Sequence, residues 1–175
     1  MSWCLSTLKV NNRHDEKDLP SYPQSHYKSW GGPEETTFDK LFSYTDSENS
    51  GIKYYSGTAV YHNDVQIEAS ELTPGRCVLD LGEVGCMAEV IVNDQSVGTA
   101  WRKPYTLDIT NALKQGKNKL EIRVVNQWVN RIIGDLQPDS KKKYTFTHQS
   151  FYQADSELLP SGLMGPVNIL KITER

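Results

Sequence analysis

The run from Asn118 to Asn126, NKLEIRVVN, sets Leu120, Ile122 and Val124 on one face and Glu121 and Arg123 on the other. A period of two belongs to a strand with one face buried and the other wet; a helix repeats at 3.6 and cannot present it. The pattern recurs in short pieces along the chain: GIKYYSGTAVYHNDVQI from Gly51, RCVLDLGEV from Arg76, YTLDIT from Tyr105 and VNILKIT from Val167. AEVIVNDQSVG reads as two strands about an Asn93-Asp94 turn, because Asn and Asp tolerate the positive φ that a two-residue hairpin needs. Strands joined by Gly, Asn and Pro turns, with no long amphipathic helix between them, predict an all-β chain folded as an antiparallel β-sandwich.

The first 30 residues show neither period and carry Pro20, Pro23 and several Ser, Asn and His. They read as an irregular, flexible lead-in over residues 1–30, with the sandwich domain over 31–175. Within GGPEETTFDKLFSYTDSENSG, the spacing of Phe38, Leu41 and Phe42 predicts one helical turn in a strap packed on the domain.

Size and charge narrow the function. A chain of 175 residues holds one domain with a sizeable core. Nineteen Lys and Arg against 22 Asp and Glu leave a net charge of -3, so the basic field that nucleic acid requires is missing. No stretch approaches the ~18 apolar residues of a membrane span. The first 20 residues lack the ~7 to 15 apolar residues of a signal core. Nucleic acid and membrane are therefore not expected as partners, and the chain reads as carrying no export signal of its own.

Nor does the sequence offer a metal, a cofactor or a catalytic set. Cys4, Cys77 and Cys86 lack metal-ligand spacing, and Cys77 alternates in phase with Leu79 and Leu81 as a small core residue would. His14, His26, His62 and His148 lie far apart and beside no nucleophile motif. Glycoside hydrolysis needs two carboxyls about 5 to 10 Å apart. Asp80, Glu83, Glu89, Asp94, Asp108 and Asp135 supply candidates, but Asp94 belongs to the predicted turn and Asp108 to the outward face of a strand. Gly162 and Gly165 with Pro160 and Pro166 shape a loop, and Lys141 to Lys143 read as a solvated run.

The blocks L-D-L-G, then A-E-V-x-V-N-D-x-x-V-G-x-x-W, then P-Y-x-x-D-I-T, then A-L-K-x-G-x-N-x-L-E-I-x-V-x-N follow one another between Leu79 and Asn126. This succession resembles the galactose-binding-like jelly rolls of glycoside hydrolase family 2. NQWVNRIIGD at 126–135 and SELLPSGLMGPVNIL at 156–170 are similar to the C-terminal sugar-binding domain of family 106 type α-L-rhamnosidases, and GGPEETTFDKL and GIKYYSGTAVY match that pattern too. The resemblance spans roughly Gly31 to Ile172. It implies a non-catalytic accessory domain whose partners are a carbohydrate and a separate catalytic barrel, in parent proteins that are mostly exported. A barrel alone needs ~200 residues.

Sugars are held by flat rings under their C–H faces, with planar polar groups on their hydroxyls. Two clusters supply that mixture after strand ends: Trp101, Arg102 and Tyr105, and Trp128, Asn130, Arg131 and Asp135. These are the expected ligand-binding residues. Val129, Ile132 and Ile133 beside Trp128 favour burying that ring. The alternative is a structural domain that buttresses a glycosidase barrel without binding sugar.

Overall fold

A computed structural model describes residues 8–11, 32–33, 35–72, 75–149 and 151–173. Its elements, in chain order, are β1 (Leu8–Asn11), β2 (Glu35–Phe38), α1 (Ser50–Lys53), β3 (Gly57–Ile67), α2 (Ala69–Leu72) and β4 (Arg76–Asp80). There follow β5 (Glu83–Val84), β6 (Met87–Val92), β7 (Gln95–Ala100), β8 (Thr106–Asp108), β9 (Gly116–Asn126), α3 (Val129–Asp135), β10 (Leu163–Gly165) and β11 (Asn168–Ile172). The chain is the all-β antiparallel sandwich that its alternation predicts. One layer is a six-stranded sheet ordered β2-β1-β3-β9-β6-β7, and a three-stranded sheet, β11-β4-β8, and the pair β10-β5 complete it.

The core follows from the period of two. Ala59, Tyr61, Val65 and Ile67 on β3, Leu120, Ile122 and Val124 on β9, and Ala88, Val90 and Val92 on β6 are all buried. They join Cys77 and Leu79 of the smaller sheet, and Leu81 just past it, in one apolar cluster. Each fully buried Val, Leu or Ile contributes about 1.5–3 kcal/mol. Cys77 is thus the core residue that its phase predicts, and burial pushes its thiol pKa up. The central pairing is long: β3 meets β9 from Gly57↔Asn126 to Ile67↔Gly116 without a register shift.

Asn93 and Asp94 both take positive φ, 52° and 65°, and Val92 pairs with Gln95, so the predicted hairpin turn forms with φ > 0 at both central residues. Asn93 also donates to the Ala112 carbonyl and to Asn118 Oδ1, at 2.8 Å each. Gly82, at φ 63°, lies where a Cβ would come within 2.4 Å of the Gly165 backbone, so β5 and β10 can approach only with hydrogen at that position.

Two expectations about the N-terminal part change. Leu8–Asn11, inside the segment read as irregular, is a strand between β2 and β3, pairing Val10 with Thr36 and with Tyr61. The rest of residues 1–30 lies outside the described residues. The helical turn expected over Phe38, Leu41 and Phe42 does not form, because Phe38 ends strand β2 and its side chain packs on the core with Leu41. The strap itself is real. Its 3-10 turn Tyr44–Asp46 buries Tyr44, whose amide donates to the Ser161 carbonyl at 3.0 Å. Tyr61 Oη donates to Tyr44 Oη and accepts from the Leu163 amide, which ties strap, sheet and C-terminal loop together.

Candidate functional site

The strand registers gather several loops at one end of the larger sheet. Gly57 opposes Asn126, Met87 opposes Val125 and Ala88 opposes Ala100, so the start of β3, the end of β9, the start of β6 and the end of β7 lie together. The segments leaving them are stitched to one another. Ser56 Oγ donates to the Gln127 carbonyl at 2.7 Å, Gly85 N to the Gly162 carbonyl at 2.9 Å, and Gly162 N to Asn126 Oδ1 at 2.6 Å. Binding residues in sandwiches collect on loops held by such a rigid frame.

Trp101 leaves β7 at this end with 68% of its surface exposed, and the Arg102 guanidinium carbon lies 5.6 Å from its ring centre. Trp128 is 45% exposed. The expectation that its apolar neighbours bury it therefore fails: Ile133 is buried, while Trp128 precedes the first turn of α3. Met87 at the start of β6 adds apolar surface to the same rim. Nearby, Lys103 Nζ meets Glu83 Oε2 at 2.6 Å, and its hydrogen bond to that carboxylate raises the lysine pKa.

The other expected ligand residues face inward. Tyr105 is buried and donates its hydroxyl to the Cys86 carbonyl at 3.3 Å. Asn130 is buried, giving Nδ2 to the Leu159 carbonyl at 2.6 Å and accepting the Leu159 amide at 2.8 Å. Asp135 is buried and accepts four bonds: Arg131 Nε at 3.0 Å, the Tyr144 and Thr145 amides at 2.8 and 2.6 Å, and Thr145 Oγ1 at 2.7 Å. Engaged in this way, these groups hold loops in place. The correction has a simple origin: α3 is a single short helix, and its polar face turns toward the protein because the 140s loop packs over it.

Sequence reasoning missed a concavity there. An open cleft of about 580 Å³ lies beside α3, lined by Tyr54, Arg131, Lys141, Lys142 and Tyr144 among others. The Arg131 guanidinium carbon lies 5.8 Å from the Tyr54 ring centre and 5.0 Å from that of Tyr144. Lys141 and Lys142, expected as part of a solvated run, line this cleft. The four-residue spacing of Arg131 and Asp135 was the available signal, since on a helix it makes an ion pair. Nothing local points to Tyr54 or Tyr144, which arrive from distant segments.

The carboxylates considered for catalysis are engaged or in turns. Asp80 accepts the Gly82 amide, Glu83 pairs with Lys103, and Glu89 pairs with Arg123. Asp108 accepts both the hydroxyl and the amide of Thr110, which lower its pKa. Among the described residues no group of three His, Cys, Asp or Glu is arranged to hold a metal, and no helix is long and apolar enough to cross a membrane.

With this geometry in hand, comparison with known proteins places the chain. Residues 39–154 match the family described as glycosyl hydrolase 2 galactose-binding domain-like, and the chain belongs to that family. A protein from Formosa agariphila, provisionally named a beta-glucuronidase, is 41% identical over 79% of this chain. The structure of a rhamnosidase from Novosphingobium sp. PP1Y superimposes with a TM-score of 0.80 and 38% identity over 94% of the chain. The beta-D-glucuronidase of Dictyoglomus thermophilum shares the fold at 19% identity, with a TM-score of 0.57 over 95% of this chain and 27% of its own. The chain spans 14% of the length of each of the first two relatives.

Proposed function

We propose that this chain is a non-catalytic accessory domain that recognises carbohydrate beside a glycosidase catalytic domain. The observation that carries the reading is Trp101, a large ring exposed over two thirds of its surface at the loop end of the sandwich, with the Arg102 guanidinium against it. A flat ring with an adjacent planar donor suits a pyranose, whose C–H face stacks while its hydroxyls accept hydrogen bonds. Trp128 and Met87 extend the rim. Tyr105, Asn130 and Asp135 serve by fixing the loops that present it. The relatives named for rhamnosidase and glucuronidase activity point to glycosides as the chemistry of the longer protein. Hydrolysis then belongs to the part of those relatives that this chain does not span, consistent with the engaged carboxylates above.

Calorimetric titration with rhamnose-, galactose- and glucuronate-containing glycans tests the reading. Saturable binding of a neutral glycan that Trp101→Ala abolishes, with melting unchanged, is the expected result. Absence of saturable binding to any of them overturns it.

A second reading, a domain that only buttresses the catalytic barrel, draws on Phe146 and Phe151. Both rings are more than 80% exposed on the loop between α3 and β10, and large apolar side chains so placed suit burial against another domain. Under that reading Trp101→Ala changes no glycan affinity, and Phe151→Ser lowers the stability of the full-length protein but not of this domain.

A further inference from the structure

Arg131 has an anomaly that its structural role leaves unexplained. Its side chain is only 6% exposed, yet among the described residues only its Nε finds an acceptor, Asp135 Oδ1 at 3.0 Å. Among the described residues, no hydrogen-bond acceptor is found for Nη1 or Nη2. Buried guanidinium donors are ordinarily satisfied, and leaving them without acceptors is costly. The head is nevertheless fixed in place. It lies between the Tyr54 and Tyr144 rings, and Gly134 makes room for it, since a Cβ there would fall 2.5 Å from Nη2.

Arg131 belongs to the wall of the cleft beside α3, whose volume of about 580 Å³ is of small-molecule size. The local charge favours an anion. Asp135 is buried and accepts three of its four bonds from the 140s loop. The remaining charged lining is Lys53, Lys141 and Lys142 against Glu48 and Asp139, a cationic excess on a chain whose net charge is -3. Lys142 Nζ lies 4.8 Å from the Tyr144 ring centre, on the ring that also faces Arg131.

We propose that this cleft is an oxyanion subsite for an acidic saccharide, in which the Nη groups of Arg131 take a carboxylate or sulfate and Lys142 supplies a second cation. A planar fork held rigidly by an ion pair and two rings is suited to two-point recognition of such a group and forfeits little freedom on binding it. That the oxyanion is carried on a sugar rests on the carbohydrate-binding reading above.

The test is a set of titrations of the whole chain with methyl glucuronide, a 6-sulfated methyl glucoside, neutral methyl glucoside and sodium sulfate. At least one acidic glycoside is expected to bind about tenfold more tightly than the neutral one, and the preference identifies whether carboxylate or sulfate fits. Lys142→Glu, a surface change that leaves the buried pair intact, removes that preference, and Arg131→Lys does so without the fork. Trp101→Ala leaves the acidic preference in place. Equal binding of acidic and neutral glycosides overturns the inference. So does inorganic sulfate binding as tightly as the sulfated sugar, or saturation of the cleft by an acidic peptide alone. If neutral glycans bind through Trp101 while acidic ones gain nothing, the subsite falls and the accessory-domain reading stands; if no glycan binds, both fall.

Discussion

Replacing Asp135 by Ala removes the only counter-charge that the described residues place on the Arg131 guanidinium, together with the acceptor for two loop amides and one hydroxyl. The two effects differ in size. Tyr144 and Thr145 are only partly buried, so water replaces most of what their donors lose. Arg131 is buried, and a buried charge stripped of its partner costs about 3–5 kcal/mol. We expect a net loss near 4 kcal/mol, a large share of the 5–15 kcal/mol that stabilises a typical domain. At about 2–4 °C per kcal/mol, melting falls by about 8–16 °C. Urea titration followed by tryptophan fluorescence measures the first quantity, and amide exchange at Tyr144 and Thr145 reports the loosened loop. The double replacement Arg131→Met with Asp135→Leu removes both charges and recovers most of the loss. A loss below about 1 kcal/mol for Asp135→Ala, or a double variant no more stable than the single one, would refute the reasoning.

Asn118 is buried with its side chain accepting from the Lys114 amide and Asn93 Nδ2 and donating to the Lys114 and Gly116 carbonyls. Asn118→Ala should therefore cost about 2–3 kcal/mol in denaturant titration, and a change under about 1 kcal/mol counts against it. Alkali probes the buried tyrosines. Burial raises the pKa of Tyr44, Tyr55 and Tyr61 above the ordinary phenol value. The native state thus holds these protons more tightly than the unfolded chain. Their contribution is complete below about pH 10 and is lost as pH climbs through the raised native values. Denaturant midpoints should stay flat up to about pH 9 and fall beyond pH 10, with the tyrosinate absorbance of these three appearing together with unfolding. Ionisation of the three in a still-native protein would contradict this.

The strands were legible because burial imposes its period directly on the sequence: Leu120, Ile122 and Val124 had to alternate to lie beside Ala88, Val90 and Val92 on the buried face of the sheet. The Asn93-Asp94 turn was legible because few residues accept its backbone angles. Strand β1 was not, because a four-residue strand is specified by the backbones of β2 and β3 on either side of it, and side-chain pattern says little over so short a span. Phe38, Leu41 and Phe42 have helical spacing by coincidence; sheet pairing at Glu35–Phe38 overrides it. At the candidate site, composition identified the right residue types but not their direction. Trp101 and Arg102 face outward and Tyr105 inward although they are neighbours in the chain. The cleft was invisible for a further reason, since Tyr54, Arg131 and Tyr144 come together only when the strap and the 140s loop pack around α3.

The bonds that seal the Tyr44–Tyr61 pair bear on how the protein is made. Tyr61 waits for Leu163, 102 positions later, and Ser43 for Ser161, 118 positions later. At ribosomal rates of ~5–20 residues per second, that is about 5–20 s during which β3 has emerged and its cover has not. Through that interval the strand lacks its C-terminal cover, and until β9 follows it also offers an unpaired edge to any neighbouring chain. Slow closure of such distant pairings is the rule in all-β topologies. The loop around Gly162 is therefore a late latch, and changes there should alter the yield of soluble protein during synthesis more than they alter the finished fold.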